Sequence, residues 1–134
     1  MRSLDDPEFF RRESESRVMN LYHIWCDLRP GSSDIEFADA VAEYLNRLRE
    51  EGRIQGHRLT RRKLGLGPRE LGEFHIQIEV EDLAQLDRAF GEVSRREGPI
   101  ESLHHAVNRH AARVDFALYR DFPDAHRERG GEKF

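Results

Sequence analysis

Apolar and polar positions change period several times along the chain, and each change marks an element. The run MNLYHIWCDL (19–28) is rich in aromatic and branched residues and closes on Pro30-Gly31, which predicts a strand and a turn. Ser33 with Glu36 three residues on forms a capping box, and Phe37, Val41, Tyr44, Leu45 and Leu48 then recur at helical spacing up to Gly52. The segment 54–64 has strand character, and its Arg58, Arg61, Arg62 and Lys63 suit a sheet edge better than a centre. In FHIQIEV (74–80), strict alternation sends Phe74, Ile76, Ile78 and Val80 one way and His75, Gln77 and Glu79 the other. Asp82 with Gln85 caps a second helix, whose stripe is Leu83, Leu86, Phe90 and Val93 and whose stop is Gly98. Pro99 opens a third, shorter helix with Ile100, Leu103 and Val107 on one side. Alternation returns over 113–122, with Val114, Phe116 and Leu118 opposed to Asp115, Ala117 and Tyr119.

Strand, helix, strand, strand, helix with an extra helical piece, strand is the order of a ferredoxin-like α+β domain built on a split βαβ unit. Right-handed crossovers then predict an antiparallel sheet of order 4-1-3-2 with the helices on one face. The other face has no cover within the chain, yet it should carry Trp25 and Tyr119 among polar groups. An apolar patch of that kind marks an interface, so the expected partner is a second copy joined sheet to sheet. The divisions expected are a charged arm at 1–17, the domain at 18–122 and a flexible tail at 123–134.

Composition narrows the classes further. At 134 residues the chain has room for one core, and the lone Cys26 excludes an internal disulfide framework. The opening residues contain no apolar signal core and no stretch is long enough to span a bilayer, so a cytoplasmic protein without a membrane role is expected. Net charge is −4 with the two signs interspersed, which argues against nucleic acid as a partner.

The opening strand MNLYHIWCDLRPG before a capped helix, the edge segment GHRLTRRKLGLGP and the passage FHIQIEVEDLAQLDRAF resemble the dimeric α/β-barrel superfamily over residues 18–122. That superfamily includes antibiotic-biosynthesis monooxygenase-like proteins, stress-responsive barrel proteins and uncharacterised bacterial groups. The resemblance implies a homodimer of face-to-face sheets whose enclosed space holds a small organic molecule or haem. It also implies cofactor-free monooxygenase- or isomerase-like activity, or alternatively a non-catalytic binding or stress-related dimer. Members that degrade haem or oxidise polycyclic substrates use Asn, Trp and His constellations, residue types present here at Asn20, Trp25 and several histidines.

Side-chain alternation makes the site more concrete. With Tyr22, Ile24, Cys26 and Leu28 toward the helices, His23, Trp25 and Asp27 join His75, Gln77 and Glu79 on the open face; Leu21 favours the reverse phase. An imidazole beside a carboxylate can work as a general base, so His23, His75 and Glu79 are the catalytic candidates. Trp25 offers a flat wall, and Gln77, Tyr119 and Arg58 complete a candidate binding set. The bland alternative is a hydrogen-bonded polar layer that serves assembly alone. No cofactor is named by the sequence. A metal would require two or three of His23, His57 and His75 to converge with Glu79, and ligands on separate strands lack the close-pair spacing that would support it. His104, His105 and His110 are expected on a helix surface, with an axial haem ligand as the alternative. The basic run could bind an anion or guard the edge, GLGPRELG (65–72) could form a flap over the open face, and Cys26 is expected to be inert packing.

Overall fold

The computed structural model describes residues 18–95 and 98–124, with 92–95 and 98–100 as backbone alone. The expected arm at 1–17 and residues 125–134 of the expected tail lie outside the described residues. The elements run β1 (Asn20–Leu28), α1 (Asp34–Glu50), β2 (Gly56–Arg61), β3 (Phe74–Val80), α2 (Leu83–Arg95), α3 (Gly98–Asn108) and β4 (Ala111–Arg120).

The strands form a four-stranded sheet in the order β2-β3-β1-β4, and each neighbouring pair is antiparallel. This is the ferredoxin-like arrangement that the order of elements implies. The register opposes Ile24 to Ile76 and to Phe116, and Trp25 to His75 and to Asp115. A bulge between Cys26 and Asp27 shifts the register with β4, after which Asp27 is opposite Ala112 and Leu28 opposite Ala111.

Local chemistry explains the boundaries. The Ser33 hydroxyl accepts the Glu36 N–H at 3.2 Å, starting α1 as the capping signal requires. At its other end the Gly52 N–H donates to the Arg49 carbonyl with a φ of +71°, a left-handed closure suited to glycine. The Asp82 carboxylate caps α2 by accepting the Gln85 N–H at 2.7 Å, and the Gln85 side chain in turn accepts the Glu81 N–H at 2.7 Å. The second helix ends at Arg95, before Gly98, and Gly98 is the first residue of α3. One sequence expectation needs correction: the second strand is shorter than 54–64, because Ile54 is buried in the core and the Arg62 side chain turns back onto the following loop.

Phe37, Val41, Leu45 and Leu48 of α1 close over Cys26, Ile76, Ile78 and Val80 of the sheet, and Ala89, Leu86 and Phe90 of α2 join the same core. Burial of a Leu- or Phe-sized side chain contributes roughly 1.5–3 kcal/mol, so this single layer is the main source of stability. The helix face is less complete over β4. Phe116 and Leu118 point toward the helix side but remain 61% and 49% exposed.

Candidate functional site

Two places in the fold gather chemistry, one on each face of the sheet. On the open face, alternation places Leu21, His23, Trp25 and Asp27 of β1 beside His75, Gln77 and Glu79 of β3, because Tyr22, Ile24, Leu28 and Cys26 pack into the core. The first of the two phases is therefore the one adopted. His23 Nδ1 lies 2.8 Å from His75 Nε2, a hydrogen bond in which one ring donates and the other accepts. The Trp25 and His75 rings lie 6° from parallel with centroids 4.6 Å apart, and Tyr119 meets the His23 ring edge-on at 5.0 Å. The result is a continuous aromatic strip across the middle of the sheet. Burial lowers the pKa of His23; burial and then the neighbouring His23 lower that of His75. A pair that shares one hydrogen bond through neutral rings resists taking a second proton.

The other expected members are spread around this strip. Gln77 is opposite His23 on one side and Arg58 on the other. Glu79 is opposite Leu21 and its carboxylate lies against Gly56 of β2, one step removed from the histidines. His57 does not join them. It lies on the helix side, where its Nε2 is 2.8 Å from the Asn46 side-chain oxygen of α1, so His57 does not converge with His23 and His75. Asn20 is likewise committed, donating to the Glu81 carbonyl at 3.1 Å and accepting from Arg120 at 2.8 Å.

The loop 62–73 borders the Trp25–His75 end of the open face, leaving a recess of about 200 Å³ between them. Arg62 braces this loop by donating to the carbonyls of Pro68 at 2.7 Å and Leu71 at 2.8 Å. Arg61 pairs with Asp34 at 3.0 Å and Glu73 at 3.3 Å. Two members of the basic run are thus structural, and the run follows the edge strand as expected.

The second place is a cavity of about 160 Å³ between the sheet and the helices. Its walls are apolar and include Ile24, Cys26, Val41, Leu45, Ile76 and Phe90. Tyr44 of α1 lines it too; that residue is 5% exposed and its hydroxyl is buried without a hydrogen-bond partner. The His104 ring of α3 stands against Tyr44 at 5.7 Å, so it is not on the helix surface as the sequence suggests. His104 has its pKa lowered, by burial first and also by His105, with Glu101 acting in the opposite direction. Burial and the proximity of Tyr22 push the Tyr44 phenol well above its ordinary range. Cys26 is pushed up to about 11 by burial and by Asp27, which makes its thiol unreactive at neutral pH, as expected of inert packing. The exposed members of the lining, Phe116, Val114 and Asn108, mark a mouth between α3 and β4.

Sequence reasoning missed this cavity. Tyr44 reads as one more member of an apolar stripe, and only the depth of its hydroxyl distinguishes it. His110 is a further correction, since it follows α3 and is 5% exposed, with both ring nitrogens buried without partners and its ring edge-on to Phe37. Among the described residues no group of three His, Cys, Asp or Glu side chains is placed to hold a metal ion, and no helix is long and apolar enough to cross a membrane.

Residues 19–134 match a family of unknown function, DUF6614. The chain belongs to this family. No curated protein matches it. Solved structures share its fold at low identity. A dimeric ferredoxin-like protein of unknown function from Bacteroides fragilis is 12% identical with a TM-score of 0.52, over 77% of this chain and 96% of that one. The hydroxynitrile lyase of Passiflora edulis is 10% identical with a TM-score of 0.58, over 77% of this chain and 93% of that one. A Dabb family protein from Mesorhizobium loti is 13% identical with a TM-score of 0.53, over 76% of this chain and 95% of that one. This DUF6614 chain thus has the fold of the dimeric ferredoxin-like proteins that its sequence resembles.

Proposed function

We propose that this DUF6614 protein is a homodimer that binds a small organic molecule in the cavity between its sheet and its helices. The observation that carries this reading is the Tyr44 hydroxyl. A buried hydroxyl without a partner costs roughly 1–3 kcal/mol, a penalty that a ligand oxygen would remove. The open sheet face supports the dimer, because the strip of Trp25, His75, His23 and Tyr119 presents flat rings where another sheet can cover them. Among the neighbours in fold, one is described as dimeric and another is a hydroxynitrile lyase, so both halves of the reading have precedent in this architecture.

A second reading is favoured by the His23–His75 hydrogen bond. It puts chemistry between the two sheets, with His23 or His75 as general base, Glu79 orienting it, and Trp25, Gln77, Tyr119 and Arg58 receiving the substrate of a cofactor-free oxidation or isomerisation. Neutral imidazoles suit a base. Ligand-observed NMR with a library of small organic molecules separates the two. Filling the helix-side cavity with Val107→Trp is expected to abolish binding while His75→Ala leaves it intact. Loss of binding in His75→Ala alone would move the site to the sheet face.

A further inference from the structure

We infer that the ligand of the helix-side cavity is an uncharged molecule of about one ring, carrying a hydroxyl or carbonyl oxygen that pairs with the Tyr44 hydroxyl. This rests on the cavity being a ligand site and adds the class of molecule that it takes.

Size gives the first limit. A volume of about 160 Å³ is close to the roughly 150 Å³ of a dry apolar cavity that accommodates benzene. Larger ligands would have to displace Phe37, Leu45 or Ile78, which are buried in the core layer. Charge gives the second. The lining contains no Lys, Arg, Asp or Glu, and its one imidazole, His104, is held toward the neutral form by burial. A carboxylate or an ammonium drawn into this space would lose its hydration without meeting a counter-charge, and an unpaired buried ion is far more costly than an unpaired dipole.

Polarity gives the third. Against walls of Ile, Val, Leu and Phe, the polar atoms come from Tyr44, Tyr22, His104 and Asn108. Of these groups, the Tyr44 hydroxyl is the one that is fully buried without a partner. It can donate to a carbonyl or hydroxyl oxygen, and it can accept from a hydroxyl. The ligand therefore enters with its apolar body against Ile24, Ile76 and Phe90 and its single polar group toward α1.

The test uses the full chain at pH 7.5 with three probes of one ring each: toluene, benzyl alcohol and benzoate. Affinities are read by NMR titration. Benzyl alcohol is expected to bind at least tenfold more tightly than benzoate. In Tyr44→Phe, benzyl alcohol should weaken by about tenfold and toluene should be unchanged, the signature of one lost hydrogen bond. Retained toluene binding also shows that the variant is folded. Benzoate binding as tightly as benzyl alcohol would overturn the assignment of an uncharged ligand. Equal effects of Tyr44→Phe on toluene and benzyl alcohol would overturn the role of the hydroxyl. If none of the three probes binds, the cavity is not a ligand site, and the proposed function fails together with this inference.

Discussion

Gly72 shows how tightly individual positions are set where the loop 62–73 returns to the sheet. A Cβ at this residue would fall on the backbone of Cys26, which is core and has no freedom to move aside. Gly72→Ala is expected to lose about 2 kcal/mol or more, read from urea unfolding, because backbone rather than a flexible side-chain end must yield. The histidines make a pH prediction at the same scale. His23, His57, His75 and His104 all have pKa values below the ordinary 6.5 in the folded chain. Each binds fewer protons folded than unfolded, so stability rises with pH through that window. It should be full above pH 7.5, begin to fall as pH drops through 6.5, and level off only below the depressed folded values. Thermal unfolding between pH 8 and 5 checks this, and His23→Gln should flatten the slope; a melting temperature independent of pH over that range would contradict it.

At the scale of elements, the first helix was legible because its signals agree. Ser33, the 3.6-residue stripe and Gly52 all specify one segment, and Ser33→Ala should cost about 1 kcal/mol, measurable by denaturant unfolding. β3 was equally plain from its alternation, and the edge position of β2 from its charges. What could not be read was whatever depends on distance across the fold. The sequence does not show that Arg62 folds back to brace its own loop, that His57 reaches Asn46, or that His110 and the Tyr44 hydroxyl are buried without partners. Periodicity assigns a face, but it does not say how completely the opposite layer fills the space above it. The helix-side cavity lies in that gap, and Phe116 of β4, exposed at its mouth, shows how incompletely the helices cover this strand. The brace has its own test. Arg62→Ala should speed hydrogen exchange in 63–72 by removing the donor to Pro68 and Leu71, with little change in the core strands.

For the whole molecule, the proposed reading gives the two faces of one sheet different work, and substitutions on each should separate them. Trp25 and Phe116 are both aromatic residues of the sheet, on adjacent strands and on opposite faces. If the open face joins two copies, a charge introduced at its centre by Trp25→Glu is taken out of water between the sheets, beside imidazoles that are neutral at pH 8, and should yield monomers. The same charge at Phe116, already 61% exposed at the mouth of the cavity, should leave the dimer intact and disturb ligand entry instead. Sedimentation velocity at pH 8 reads the difference directly, with the parent chain expected as a dimer. Lowering the pH to 5 adds protons to the His23–His75 pair, whose shared hydrogen bond requires one nitrogen to remain unprotonated. In the proposed dimer, charge placed on this pair is brought against the like-charged pair of the other copy and repels it, so the parent dimer should dissociate on acidification while the Phe116→Glu variant follows the same curve. A dimer that survives Trp25→Glu but not Phe116→Glu would place the interface on the helix side, at the edge of β4, and would turn the aromatic strip into an exposed surface in need of a different partner.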